Sequence, residues 1–346
     1  MLTTLHLDAA NPADIARAVQ LLREGRLVAF ATETVYGLGA NALSPDAVAA
    51  IFAAKQRPAW DPLIVHIASA AQLSAITSIP ASLESRISNL ASAFWPGPLT
   101  LLLPRNAAIP DAVTAGRELV GVRVPSHPAA RALLQATGLP IAAPSANLFG
   151  HTSPTTAAHV LADLNGRIDA VLDAGPTTIG LESTVLDPTQ TPMILYRPGA
   201  ITAAQLTTAT GIEVHTFVPA EATSPPQSLP SPGVGIRHYA PRARLVLIDP
   251  QLEEDLEHSL LRQNKVELEA GHQVGLMLPD GWALLADTHS FLWGSWADPE
   301  ELAHNLFTGL RDLDQRGVGV ILTPLPPPGG LRDALRDRLT KAAMPK

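Results

Sequence analysis

Cysteine is absent from this chain of 346 residues. That excludes disulfides and thiolate metal sites, leaves oxygen and imidazole as metal donors, and fits a reducing compartment. Aromatic residues make up only 4% of the chain and charged residues only 16%. Basic charge is the scarcer sign: 24 Lys and Arg against 32 Asp and Glu give a net charge of −8. A sequence-independent nucleic-acid coat needs a basic surface, so the balance argues against one. No apolar run approaches the ~20 residues of a membrane span. The opening residues, MLTTLHLDAANPAD, carry neither the basic nor the apolar segment of a secretory leader. The expectation is a cytoplasmic protein with no membrane contact.

Several chemical signatures are missing as well. There is no GxSxG elbow to single out a nucleophilic serine, and no Walker phosphate loop. His151, His159 and His238 show no HxxxH spacing for zinc. No GxGxxG turn follows any expected strand, so no dinucleotide is assigned.

What is present is a chain 46% hydrophobic, long enough for two cores. It is organised around residues 32–67, TETVYGLGANALSPDAVAAIFAAKQRPAWDPLIVHI. A buried strand at 27–31 is expected to empty into a loop holding Gly37 and Gly39. Ser44 then reads as an N-cap and Pro45 as the first residue of a helix that stops near Pro58. That stop gathers Lys55, Arg57 and Asp61 ahead of a second strand, 63–67, that contains His66. Hydroxyls and glycines beside two cations suit a polyanion such as a nucleoside triphosphate.

Further along, helices are expected after the Asn11 cap, over 83–94 and from His127 to Gly138. Strands are expected at 99–103, 119–124, 140–144, 170–173, 183–187 and 193–196. Several strands follow one another with no room for a crossover helix, which predicts a mixed α/β sheet. Composition shifts near Gly211, and the prolines between 218 and 241 predict an extended linker. Beyond it, strands at 245–248, 274–278 and 318–322 alternate with helices at 253–263, from Asp298, and at 331–343. This predicts a small Rossmann-like parallel α/β domain. The expected division is 1–211, a 212–243 linker, and 244–346.

Each candidate residue has an ordinary and a functional reading. Lys55 and Arg57 are either a solvated helix end or phosphate ligands. Thr32, Thr34 and Tyr36 satisfy strand ends or line a site. Arg123 lies inside the apolar strand LVGVRVP, so it needs an anion: a structural ion pair or a substrate carboxylate. Ser145 and Asn147, then Gly150, Thr152 and Ser153, cap turns or contact a nucleotide. Ser183 and Thr184 pose the same choice, and Arg197 precedes a Pro-Gly turn.

In order, TETVYGLGANA, KQRPAWDPLIVH, FWPGPLTLLL, VGVRVP, PIAAPSAN, STVLD and YRPGAIT together resemble the YrdC/Sua5 family of L-threonylcarbamoyladenylate synthases. The blocks SPGVGIRHYAPRARL and GLRDALRDRLTKAA look like its longer Sua5 branch. The resemblance implies an N-terminal YrdC-like twisted mixed sheet, a lid-forming linker and a Rossmann-like C-terminal domain. It also implies a reaction in which L-threonine, bicarbonate and ATP give threonylcarbamoyl-AMP and pyrophosphate. Mg²⁺ is carried with ATP and has no direct protein ligand. The product would feed the threonylcarbamoyl transferase machinery acting on tRNA adenosine next to the anticodon; direct tRNA binding is left open. Matching motif positions places threonine contacts on Thr34, His66, Arg123, Ser183 and the Ala143 backbone. ATP contacts fall on Arg57, Asp61, Leu119, Ser145, Ser153 and Arg197, with Lys55 on phosphate and His238 and Tyr239 reaching over the nucleotide. Lys55 and Arg57 take the catalytic role. The sequence departs from the family pattern at Ala31, Asp61, Leu119, Val234, Gly235 and Ile236. An RNA-binding module of the same fold without adenylate synthesis is the alternative. Carbamoyl transfer is a third reading, weakened by the lack of zinc-finger cysteines.

Overall fold

The computed structural model describes residues 3–218, 229–231, 238–249, 255–282 and 288–345. The chain divides into two compact units. The first gathers Met1–Phe149, Pro154–Thr178 and Glu182–Val234; the second gathers Gly150–Ser153, Ile179–Leu181 and Gly235–Lys346.

The first unit begins with β1 (Leu5–Asp8), α1 (Pro12–Arg23), β2 (Val28–Phe30), β3 (Gly37–Asn41), α2 (Pro45–Lys55) and β4 (Ile64–His66). It continues through α3 (Leu73–Ile76), α4 (Ala81–Phe94), β5 (Leu99–Pro104), α5 (Asp111–Thr114), β6 (Leu119–Arg123), α6 (Pro128–Thr137) and β7 (Ile141–Ala142). It closes with α7 (Ala157–Leu164), β8 (Ala170–Asp173), β9 (Thr184–Asp187), β10 (Met193–Arg197), α8 (Ala203–Thr210) and β11 (Val214–Thr216). Helix starts follow local chemistry. Asn11 and Ser44 accept backbone N–H groups of α1 and α2, each with proline in the first turn, and Gly138 ends α6 in the left-handed region.

The strands form one mixed sheet in the order β1-β8-β2-β3-β7-β4-β6-β5-β9-β10-β11. Strand alternation sorts its residues onto two faces. Ala29, Val65, Leu101, Val122, Ala142 and Leu186 belong to the larger core. On the opposite face, α1 and α6 pack over Val28, Phe30, Ile141 and Ala143. Further across, that face carries only the small cluster of Ile64, Leu102 and Val185, with Leu119 and Tyr196 against it. His66, Arg123 and Thr100 fall on this same face, each two residues along its strand from Ile64, Gly121 and Leu102. The site is built here.

The expected loop at Gly37 and Gly39 is instead β3, antiparallel to β2 with Val28 opposite Gly39 and Phe30 opposite Gly37. Glycine is needed for space: a Cβ at Gly39 would lie 2.8 Å from the Phe30 ring and 2.9 Å from Ile141 Cγ2. The elements β1, α7, α8 and β11 were not expected from the sequence. They are short, and α7 and α8 begin at threonine caps without a long apolar stripe.

The second unit comprises β12 (Arg244–Ile248), α9 (Leu256–Glu269), β13 (Val274–Pro279), β14 (His289–Gly294), α10 (Pro299–Gln315), β15 (Val320–Pro324) and α11 (Leu331–Ala343). Its four strands are parallel in the order β12-β15-β13-β14, the small parallel α/β sheet the pattern predicts. Only β14 was unexpected; its HSFLWG sequence has mixed burial. Residues 225, 226, 232 and 234–236 of the expected linker lie outside the described residues. Among the described residues no helix is long and apolar enough to cross a membrane.

Candidate functional site

Two buried polar groupings lie in the first unit. The first sits where α2 ends. Gln56 takes the left-handed conformation as the α2 C-cap, turning the chain so that Lys55 and Arg57 both bury their heads. Lys55 Nζ donates to the carbonyls of Ser145 (2.6 Å) and Asn147 (2.5 Å). This ties α2 to the segment after β7. Burial, with the Arg57 charge added, holds the Lys55 ammonium well below the usual lysine range. Arg57 Nη2 lies 2.9 Å from Asp61 Oδ2, both side chains being buried, and Arg57 also donates to the carbonyls of Asp61 and Pro62. The carboxylate that would repel a triphosphate is therefore neutralised by its own neighbour.

The second grouping lies on the open face of the sheet. Arg123 ends β6 beside His66 at the end of β4. Its Nη1 donates to Thr34 Oγ1 at 2.9 Å and its Nε to the Gly97 carbonyl at 3.2 Å. Its Nη2 lies 2.6 Å from Glu33 Oε1. Thr34 Oγ1 is in turn 2.8 Å from Thr32 Oγ1. Of the two readings of the arginine inside an apolar strand, the structure shows the structural ion pair, with Glu33 as the carboxylate. Of its five N–H groups, two donate hydrogen bonds, one on Nη2 meets Glu33 in a close but poorly aligned contact, and two have no partner among the described residues.

Burial pushes the Glu33 carboxyl up, but Arg123 and the nearby N–H groups of Glu33 and Ser126 outweigh it, leaving the carboxyl below its ordinary value. His66 is pushed down to about 3 by burial, with Arg123 adding to the effect and Glu33 opposing it. It is a neutral imidazole, and its Nδ1 is buried without a hydrogen-bond partner among the described residues.

Next to this grouping, Ser183 Oγ is 2.8 Å from Thr100 Oγ1 and accepts from Arg197 Nη2 at 3.1 Å, while Arg197 Nε donates to the Ser183 carbonyl. Two residues expected on different ligands are thus in direct contact. The Ala143 N–H is used by the Ile64 carbonyl, so only its carbonyl remains to face outward. Leu119 opens β6 on the same face, and Ser145 bridges Gly37 of β3.

The remaining expected residues, Ser153, His238 and Tyr239, belong to the second unit. The Thr152 carbonyl accepts from Arg311 there, and the Ser153 carbonyl takes a longer contact of 3.5 Å from the same side chain. His238 and Tyr239 are buried with ring centroids 4.2 Å apart. Tyr239 takes a positive φ of 63° and packs on Phe307 and under the Arg338 guanidinium.

Sequence reasoning missed Glu33 and Thr100 as members of the constellation. The signal for Glu33 was available, since a buried arginine demands a carboxylate and Glu33 stands between the two quoted threonines. Thr100 gives no such signal, being one hydroxyl in an apolar strand.

A buried arginine, hydroxyls and a neutral histidine on one sheet face have the make-up expected of a small-molecule site in an α/β enzyme. Comparison with known proteins makes the class specific. A family model, Sua5_yciO_yrdC, described as "Telomere recombination", matches residues 20–199. A second, Sua5_C, described as "Threonylcarbamoyl-AMP synthase, C-terminal domain", matches residues 201–344. The chain is 42% identical to a threonylcarbamoyl-AMP synthase of Pyrococcus abyssi, over 94% of this chain and 93% of that one. It is 43% identical to one of Bacillus subtilis, over 97% and 94%. The crystal structure of P. abyssi Sua5 complexed with L-threonine aligns with a TM-score of 0.88 at 40% identity, covering 98% of this chain and 97% of that chain. The chain belongs to the Sua5/YrdC family, in its long form with the Sua5-type C-terminal domain.

Proposed function

We propose that the protein is an L-threonylcarbamoyl-AMP synthase, a nucleotidyltransferase of tRNA modification, forming threonylcarbamoyl-AMP and pyrophosphate from L-threonine, bicarbonate and ATP. The observation that carries this reading is the identity of more than 40% to proteins of that name over almost the whole chain. The alternative, an RNA-binding module without adenylate synthesis, has no observation favouring it.

In this reading Arg123 takes the threonine carboxylate through its two unpartnered N–H groups, and Thr34, His66, Ser183 and the Ala143 carbonyl surround the rest of the amino acid. The geometry supports it because Thr34 and Gly97 already fix the guanidinium plane. Bicarbonate takes up a proton and loses water to give carbon dioxide, and the free amine adds to it and releases a proton, leaving a carbamate. A carbamate oxygen then attacks the α-phosphorus, and pyrophosphate leaves. Mg²⁺ enters on the ATP phosphates. Lys55 and Arg57 oppose the charge that grows toward pyrophosphate, and Lys55 retains one N–H beyond the two given to carbonyls. Asp61 acts through Arg57, and Leu119, Ser145 and Arg197 complete the nucleotide contacts of the first unit. Residues 212–243 serve as a lid excluding water from a labile product, 1–211 as the catalytic domain and 244–346 as the C-terminal domain. The product passes to the transferase machinery that modifies tRNA, in the cytoplasm.

The test is release of pyrophosphate from labelled ATP with Mg²⁺ and bicarbonate, with and without L-threonine. Release that depends on threonine is expected; hydrolysis indifferent to threonine overturns the reading. Arg123→Ala should weaken threonine far more than ATP in calorimetric titration.

A further inference from the structure

Glu33 is the one charged member of the open-face grouping with no role in the reaction as set out above. Its side chain is buried, 6% exposed, yet neither carboxylate oxygen accepts a well-aligned hydrogen bond from any described residue. Its contact with Arg123 Nη2 is close, at 2.6 Å, but Nη2 too lacks an aligned acceptor. A buried carboxylate in that condition has paid for desolvation and recovered only part of it. Arg123 and the N–H groups of Glu33 and Ser126 stabilise its charge from one side, and neither oxygen is spent on a well-aligned bond.

The charge pattern indicates what donor fits the other side. Arg123 and Glu33 present a positive and a negative head side by side. An α-amino acid presents a carboxylate and an ammonium on one carbon, the same two charges with the signs exchanged. Laid against the pair head to tail, it puts carboxylate on guanidinium and ammonium on carboxylate, pairing every buried charge. Other groups facing Glu33 do not compete for this role. His66 is neutral. His127 uses its Nδ1 to accept the Ala129 N–H at the start of α6, and Ser126 offers only its backbone.

We infer that Glu33 is the ammonium-binding residue of the amino-acid subsite, selecting an α-amino acid over the same carboxylic acid without its ammonium. This rests on the reading of L-threonine as substrate. Glu33 accepts the ammonium while Arg123 holds the carboxylate, so the nitrogen is aimed before it gives up a proton to solvent and, as the free amine, is carbamoylated. If Glu33 merely oriented Arg123, its loss would weaken every carboxylate ligand alike.

The test is calorimetric titration of the full chain with L-threonine and with 3-hydroxybutanoate, which keeps the carboxylate and hydroxyl but has hydrogen in place of the ammonium. Wild-type protein is compared with Glu33→Gln and Glu33→Asp, and ATP affinity controls for the fold. Glu33→Gln should lower threonine affinity by about tenfold or more and leave 3-hydroxybutanoate unchanged or tighter, with ATP unaffected. Glu33→Asp, which keeps the charge at shorter reach, should lose less threonine affinity, and it carries the comparison if Glu33→Gln does not fold. Equal losses for both ligands, or threonine affinity within about twofold of wild type, overturn the inference while leaving the threonine reading intact. A wild-type protein that binds ATP but no threonine overturns that reading, and this inference with it.

Discussion

Arg57 and Asp61 are both buried, with 2.9 Å between Nη2 and Oδ2, and each offsets part of the cost of burying the other. Asp61→Ala leaves a guanidinium in a dry site. It is expected to cost about 3–5 kcal/mol, read from urea unfolding; a loss below about 1 kcal/mol would mean that solvent reaches the pair. His66 gives a different signature. Unfolded, it takes up a proton near pH 6.5; folded, it resists until about 3. The unfolded state therefore binds more protons in that interval, and stability falls as pH drops through it. Glu33, held below its ordinary 4.5, adds a loss of the same sign only at lower pH. Between pH 7 and 5 the histidine alone accounts for about 2 kcal/mol. His66→Gln should remove that part of the slope, and urea midpoints at the two pH values check it. At this scale the sequence was informative about need but silent about partner. Arg123 in an apolar strand demanded an anion, yet Glu33 lies 90 residues earlier, and only the folded sheet brings the two together.

Elements divide by how much of their information is local. The helices α1, α2, α6 and α10 were legible because capping side chain, first-turn proline and apolar stripe sit within a few residues of one another. Asp298, which accepts the N–H groups of both Glu300 and Glu301, should cost about 1 kcal/mol when replaced by alanine, measurable as a shift in thermal midpoint. Strand β3 was not legible. Its GLGAN sequence has the composition of a loop, and its strand character comes from β2 and β7 on either side. Gly39→Ala forces a Cβ into the Phe30 ring and Ile141. It should destabilise by about 1–3 kcal/mol, whereas a Cβ at Gly121 meets its neighbours only at 3.3 Å or beyond and should be tolerated better. Equal stabilities of the two variants by urea unfolding would contradict this account of β3.

On the scale of the whole molecule, the division into units does not follow the chain order. Residues 150–153 and 179–181 belong to the second unit although the chain around them belongs to the first. Gly180 is one of these. It has a φ of +81°, and a Cβ there would lie 2.6 Å from the Ala303 carbonyl and 2.7 Å from His304 Cα of α10. Gly180→Ala is therefore expected to destabilise the second unit by about 1–3 kcal/mol. The fluorescence of Trp293, fully buried in that unit and bonded to the Leu302 carbonyl, should report the earlier unfolding; an unshifted transition counts against the packing of this segment. The sequence by itself determined the class of each half: alternation of apolar strands with capped helices is a short-range property, and it fixed a mixed sheet followed by a small parallel one. Its ordered motif blocks likewise contain Lys55, Arg123, Ser183 and Arg197. Only the tertiary structure decided that Ser183 meets Arg197, that Lys55 is spent on the carbonyls of 145 and 147, and that Glu33 stands against Arg123. Those pairings join strands and loops far apart along the chain, and no local preference encodes which distant charge will be buried beside which.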